Sequence, residues 1–299
     1  METPNEIIRP SGNETNATSA QFNGFLQRIA AMLKRDKIAL AGLVIFLAIC
    51  LACIFAPLLT RWNYKEINIS IILQKPSAQH IFGTDNLGRD QFARLLYGGR
   101  LTLKIALFST SFSLVAGSIL GILAGYFQSP VDAFVSSVLD AITSIPVILL
   151  AIVFEAAFGW GRGYFMFAIA IAAVPHFASL ARACVMKTAQ RAYIEAARAL
   201  GVGHARIIMR HVLPNIISPL IVHTVNNVAE ALLTCTVMGY LSIGIIPPDT
   251  EWGLLVFTAK TYIRVHPFLM IAPCAAIAIS IISLNLFSDG LRDALDPRV

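Results

Sequence analysis

The apolar residues of this 299-residue chain come in blocks. Runs such as 38–59 and 216–240 carry few charges and show no strict alternation. The hydrocarbon core of a bilayer is about 30 Å thick, so a helix needs ~20 apolar residues to cross it. Lipid offers the backbone no hydrogen-bond partner, which leaves helices or a closed barrel as spanning structures. Barrel strands alternate apolar and polar residues, and these runs do not. A mean hydropathy of +0.71 agrees. The expectation is an all-α chain with six transmembrane helices, near 38–59, 101–125, 131–158, 165–184, 216–240 and 268–287.

Charge is scarce, at 13% of residues, and its net value of +6 sits mostly beside the spans. There it faces anionic lipid head groups, so no nucleic-acid partner is expected. Cys50 and Cys53 form a C-x-x-C with no second pair. Two thiols in hydrocarbon fall short of a zinc site, and no metal is expected. All five cysteines read as small buried hydrophobes.

Residues 1–21 are rich in Ser, Thr and Asn and read as a disordered tail. Over 22–37 the pattern turns amphipathic. Phe22, Phe25, Leu26, Ile29, Met32 and Leu33 recur at helical spacing, with Gln27, Arg28, Lys34 and Arg35 opposite, as suits a helix lying on the membrane surface. The six-span domain follows over 38–299, with a polar segment at 60–100 and a basic connection at 185–215. An even number of spans places both termini and that connection on one side. Thirteen Lys and Arg fall on this side against ten on the other, and four of them crowd the first span, so this side is expected to be cytoplasmic.

The connection contains "YIEAARALGVGHARIIMRHVLPN" over 193–215. Tyr193, Ala196, Ala197 and Leu200 share one helical face. Gly201 stands where a helix end needs a left-handed residue, and Gly203 or His204 starts the next turn. Ile207, Ile208 and Met209 supply an apolar face, and Pro214 marks the end of the second helix. The result is a slim, rigid knob, suited to docking against a partner or to serving as a solvated loop. In "GTDNLGRD" (83–90), Gly83 and Gly88 make bends, and Thr84 or Asp85 caps the helix carrying Arg89, Arg94 and Arg100.

Ionisable residues inside spans are costly and ask for a reason. Asp140 is expected to pair with an Arg, and His176 to bond a carbonyl freed by Pro175. Glu155 lies near one end of the third span. Glu230 follows His223 on the same helical face, about 10 Å along the axis, too far for a direct bond. Glu155, Glu230 and His223 are the candidates for lining a translocation path, with bundle packing as the alternative.

"EAARALG" followed by "HVLPN" resembles the EAA loop of ABC-transporter permeases. Glu195, Ala196, Ala197, Gly201, Leu213 and Pro214 fill the pattern, with His211 where Ile is usual. "FGTDNLGRDQFARLLYGGR" (82–100), "PPDTEWG" (247–253) and "SDGLRDALDPRV" (288–299) are similar to segments of the dipeptide/oligopeptide/nickel group, in its second, C-type, permease subunit. The resemblance covers about 30–299 and departs at Ser288, where Gly is usual. It implies a type I importer fold in a bacterial cytoplasmic membrane. It also implies a homologous B-type permease, one or two ATPase subunits carrying ATP and Mg, and an extracytoplasmic solute-binding protein. Residues 195–201 and 214 would then be the coupling element. This chain would be non-catalytic and hold no cofactor, and it contains no G-x-x-x-x-G-K-[ST]. Peptides, nickel or a metallophore remain open as cargo. A stand-alone secondary transporter would show inverted repeats, which the chain lacks.

Overall fold

The computed structural model describes residues 27, 29, 31–159 and 162–295. The 1–21 tail, Phe22, Phe25, Leu26 and residues 296–299 lie outside the described residues, and the described ones contain helices and one isolated bridge but no strand. Among the described residues five helices are long and apolar enough to cross a membrane, or six if a bent pair is counted as one span.

The first span, α1 (Lys37–Ile54), is capped by Asp36, whose carboxylate accepts from the backbone N–H groups of Ile38 and Ala39. Before it, Met32 is buried against Ala39, Leu291 and Leu295 while Lys34 and Arg35 are exposed. A short helix, α2 (Ala56–Leu59), leads into the polar 60–90 segment.

The second span, α3 (Gln91–Phe127), begins ten residues before the apolar run. Its cap is Asp90, which accepts from the Ala93 N–H, and not Thr84 or Asp85. Asp85 has another task, pairing with Arg89 Nε at 2.7 Å and with Arg94, all three being buried. Hydropathy hides this start because these charged residues are buried as a paired cluster. Thr84 donates to the Ile71 carbonyl and accepts from the Gln74 N–H. Gly83 and Gly88 do take positive φ, at 75° and 72°.

The expected third span is two helices, α4 (Val131–Thr143) and α5 (Val147–Phe158), bent by 88°. Pro146 pushes the residue before it out of the helical region. At the end of α4 the Asp140 carbonyl accepts from the Ser144 N–H at 3.0 Å and from the Thr143 and Ser144 hydroxyls at 3.0 and 2.7 Å. The expected Arg partner also differs: Arg182 grips Asp132 with two nitrogens, one at 2.6 Å, while the Asp140 side chain is exposed.

The fourth span, α6 (Arg162–Ala189), packs along α3 through a seam of glycines. Gly117, Gly121 and Gly125 recur every fourth residue and so share one face of α3. A Cβ at Gly117 would lie 2.6 Å from the Val174 carbonyl oxygen, one at Gly125 2.8 Å from that of Arg182, and one at Gly121 would land on that of Ala178. Small residues at this spacing let membrane helices meet backbone to backbone.

Beyond the hairpin described below, α9 (Leu213–Tyr240) is the fifth span and α11 (Phe268–Leu295) the sixth. Between them, α10 (Trp252–Ala259) is wedged against α3 and α9. Glu251 caps α10 by accepting from Gly253 at 2.8 Å and from Leu254. It is fully buried, and burial pushes its carboxyl up to about 8, against the pull of those N–H groups and the Thr102 hydroxyl. Trp252 Nε1 donates to the Leu95 carbonyl at 2.9 Å, and Lys65 pairs with Asp249 at 3.2 Å. The first bond ties α10 to α3, and the second joins the 60–90 and 241–251 segments in a layer at the end of the bundle where α3 begins.

The seam predicts a large asymmetry between faces of α3. Gly121→Val forces the two helices apart, and overpacking of this kind costs about 1–3 kcal/mol or more. Ile119→Val changes a residue that is 53% exposed and leaves stability within about 0.5 kcal/mol. Thermal unfolding of the purified variants in detergent distinguishes the two.

Candidate functional site

At the far end of α3 from that layer, α6 turns into a hairpin. Its first helix is α7 (Ala192–Ala199). Leu200 is its C-cap and Gly201, at φ 77°, follows in the left-handed region. The Val202 N–H reaches the Ala197 carbonyl at 3.1 Å and the Gly201 N–H that of Arg198 at 3.0 Å. These two bonds, with Val202 packing near Ala197, form a Schellman motif. Gly203 then caps α8 (His204–Ile207).

The second half of the hairpin departs from expectation. Pro214 does not end a helix, because 204–240 runs on as one rod. A π-helical stretch at Ile208–Val212 is inserted just before Pro214, which lies in the first turn of α9. Proline has no N–H to give an i−4 carbonyl, and one wider turn accommodates the gap without breaking the rod. The apolar face differs too. Ile207 is fully buried and Ile208 half-buried, but Met209 is 64% exposed.

The hairpin is tied to the bundle through a few side chains. Ile194, Ile207 and Val212 are buried with Tyr126, Phe177 and Val185. Tyr126 Oη hydrogen-bonds His204 Nδ1 at 3.0 Å, and the Arg198 guanidinium lies 4.8 Å from the Tyr126 ring centre. The opposite face is bare. Glu195 and Ala196 are exposed and Ala197 is half-buried, while Leu200 is 83% exposed, an unusual state for a leucine. Of the face read from the sequence, Tyr193, Ala196 and Leu200 thus point outward, while Ala197 packs at the edge of the buried cluster. Ile194, which that pattern leaves out, is the anchor.

A second feature is a groove between α6 and α9. On α9, Pro219, His223, Asn226, Asn227, Glu230 and Thr234 fall on one helical face. Across from them on α6 lie His176 and Leu180. The groove holds two recesses. One, of about 120 Å³, is lined by His176, Asn227, Glu230 and Thr234. The other, of about 390 Å³ toward the hairpin, is lined by Ser218, His223, Asn226 and Arg292. Asn227 Nδ2 donates to Glu230 Oε2 at 3.4 Å, while Asn227 Oδ1 is buried without a partner. His223 lies edge-on to Phe177 with centroids 4.7 Å apart, within electrostatic reach of both Glu230 and His176. His176, expected to satisfy a carbonyl, is instead exposed in the groove wall.

Glu155 stands apart from both recesses. It is 7% exposed, accepts from the Gly244 backbone through one oxygen and leaves Oε1 without a partner. The structure therefore brings Glu230 and His223 to one groove and Glu155 to the turn before α10. Asn227 escaped the sequence reading because a neutral amide looks like an ordinary helix polar group, and His176 was read there as serving a carbonyl and not the groove. The signal for Asn227 was its place three residues before Glu230.

Comparison with known proteins decides what this architecture belongs to. Residues 117–299 match the family model described as the binding-protein-dependent transport system inner membrane component. Residues 24–76 match the N-terminal transmembrane domain of oligopeptide transport permease C. The chain belongs to this permease family. Among relatives, the dipeptide transport system permease of Alkalihalophilus pseudofirmus is 38% identical over 299 residues, which is 100% of this chain and 97% of that one. The di/tripeptide permease of Pseudomonas aeruginosa is 37% identical over 88% of this chain and 89% of its own. Among solved structures, the inward-facing MetNI methionine ABC transporter gives a TM-score of 0.57 at 19% identity, over 67% of this chain and 95% of that one. The fold is thus that of a type I ABC importer permease. The permease is a C-type, multi-pass subunit of the inner membrane, and ATP hydrolysis belongs to a separate subunit of such systems.

The permease's hairpin should depend on Gly201 through backbone conformation alone, since a Cβ there meets no atom within 4 Å. Gly201→Ala then costs about 1–2 kcal/mol, Gly201→Val more, and Gly201→Asn least. Hydrogen exchange over residues 196–204 reads this as faster opening, by roughly tenfold for each 1.4 kcal/mol.

Proposed function

We propose that this chain carries short peptides across the membrane as one half of a permease pair, with Glu195–Gly201 as its coupling element. The observation that supports the cargo is full-length similarity to dipeptide permeases, at 38% identity with both chains covered almost end to end. The named relatives handle dipeptides, tripeptides and glutathione, which favours a peptide over nickel or a metallophore. The partners of this reading are a homologous B-type permease, an extracytoplasmic binding protein that delivers the peptide, and one or two ATPase subunits holding ATP and Mg.

The mechanism follows from the rods. The hairpin lies between α6 and α9, and these two helices wall the groove. An ATPase that moves Leu200 and its neighbours moves both walls. The rod from His204 to Tyr240 carries displacement into Glu230 without a hinge, and Ile194 and Ile207 keep the hairpin from sliding on the bundle. ATP-driven closure of the ATPases would thereby switch the groove from facing one side to facing the other. Glu195, Ala196, Ala197 and Gly201 shape the docking knob, while Pro214 fixes where the rod leaves it.

Orientation is the first test. In a background without native cysteines, Gly203→Cys is labelled only from the cytoplasm and Ile246→Cys, 51% exposed in the opposite layer, only from outside. The reverse pattern overturns the proposal.

Docking is the second. Ala197 packs near Val202 inside the hairpin, so replacing it confuses folding with docking. Leu200 is a cleaner probe because its side chain leaves nothing buried behind. Leu200→Asp keeps the permease pair intact, but ATPase is lost on mild-detergent pull-down with affinity down at least about tenfold, as at a ~1.4 kcal/mol or larger interface contact. Normal ATPase retention with normal peptide uptake removes the coupling assignment.

A further inference from the structure

The smaller recess has a chemical character that peptide import in general does not require. Its polar lining comes from Glu230, Asn227 and Thr234 on α9, with His176 across from them. Asn227 is 2% exposed, and its carbonyl oxygen is buried without a hydrogen bond. A buried amide oxygen left bare costs about 1–3 kcal/mol, and such groups are rare. Its own Nδ2 is turned toward Glu230 Oε2, at 3.4 Å. That bond fixes the amide so that Oδ1 is the free end. The arrangement offers a negative charge with a neutral acceptor one turn before it and a hydroxyl one turn after it on α9.

We propose that this recess is the station for the α-ammonium group of a peptide in transit, which makes Glu230 and Asn227 specificity-determining residues. The inference rests on the peptide-import reading and adds what part of the peptide the path grips. A primary ammonium carries three N–H donors and one positive charge. Glu230 answers the charge, and Asn227 Oδ1, one turn away, takes a second N–H. A volume of about 120 Å³ suits an ammonium with its α-carbon and a small side chain, and Ala172, Ala173 and Ala231 leave that space free. A peptide carboxylate is repelled by Glu230 and gains nothing from an acceptor. It finds its complement instead in the larger recess, beside Arg292 and His223. A peptide held at Glu230 therefore lies with its amino end toward the 60–90 layer and its carboxyl end toward the hairpin.

A site of this kind is sensitive to the loss of one donor. Pockets built to hydrogen-bond a substrate group reject analogues lacking it far more strongly than apolar pockets reject a missing methylene. The test uses the complete transporter in vesicles, with binding protein supplied at saturation. Two probes are compared, tri-alanine and propionyl-Ala-Ala, which is the same molecule without its α-amine. Maximal uptake rates are compared, so that binding-protein affinity drops out. The wild-type transporter moves tri-alanine at least tenfold faster than the analogue. In Glu230→Gln and in Asn227→Leu that preference falls to within twofold of unity, while ATPase subunits still co-purify in normal amount. Glu230→Asp, which keeps the charge on a shorter arm, retains part of the preference. If both variants keep the wild-type ratio, or slow the two probes by the same factor, the recess does not recognise the amine and the proposal falls. If the wild-type transporter moves neither probe, peptide import itself is wrong.

Discussion

The arrangement of this permease rests on the contact between α3 and α6. Three glycines at four-residue spacing remove every side chain from one stripe of α3, and the carbonyls of Val174, Ala178 and Arg182 lie where Cβ atoms would be. In lipid the hydrophobic effect does not drive helices together, so close packing has to supply the attraction. The seam runs toward the hairpin end of α3, where Tyr126 meets His204 and Arg198. One contact thus sets the height of the hairpin, the course of α6 and one wall of the groove.

Much of this was legible from blocks of apolar residues. Length and composition locate α1, α6, α9 and α11 because a bilayer imposes a thickness that sequence must match. The sequence failed where local chemistry overrode hydropathy. The helix carrying Arg94 and Arg100 was read, but its cap was misplaced because Asp85 is engaged with Arg89 and Arg94, which leaves the capping to Asp90. The bend between α4 and α5 was announced by Pro146, but a stretch of spanning length at 131–158 concealed it. Pro214 misled in the other sense, since a π turn lets a helix pass a proline.

The hairpin shows the same division. Its turn was readable, because Gly201 in the left-handed region is a backbone requirement with few alternatives. Its facing was not. Tyr193, Ala196, Ala197 and Leu200 share a face in any helix, yet which face meets the bundle is decided by Ile194, and that depends on where α6 ends. Helical periodicity gives the relative positions of side chains on a cylinder and leaves the rotation of the cylinder to its neighbours.

Charge distribution sets the layer at the start of α3 apart from the groove proposed as the path. In the layer at the start of α3, charges meet partners: Asp85 with Arg89 and Arg94, His80 with Asp90 at 2.8 Å, and Lys65 with Asp249. Asp132 and Arg182 do the same beside the glycine seam. A satisfied buried pair adds little net stability over an apolar one, but it fixes geometry because breaking it strands a charge. The groove is built on the opposite rule. Glu230 is held by one long amide bond, and Asn227 Oδ1 and His223 Nε2 have no hydrogen-bond partner. A group already satisfied by the protein has nothing to exchange with a solute, whereas one left short gains when the solute arrives and loses only that gain when it leaves. Weak, incomplete satisfaction is what a path needs, since a site must be favourable enough to enter and shallow enough to leave.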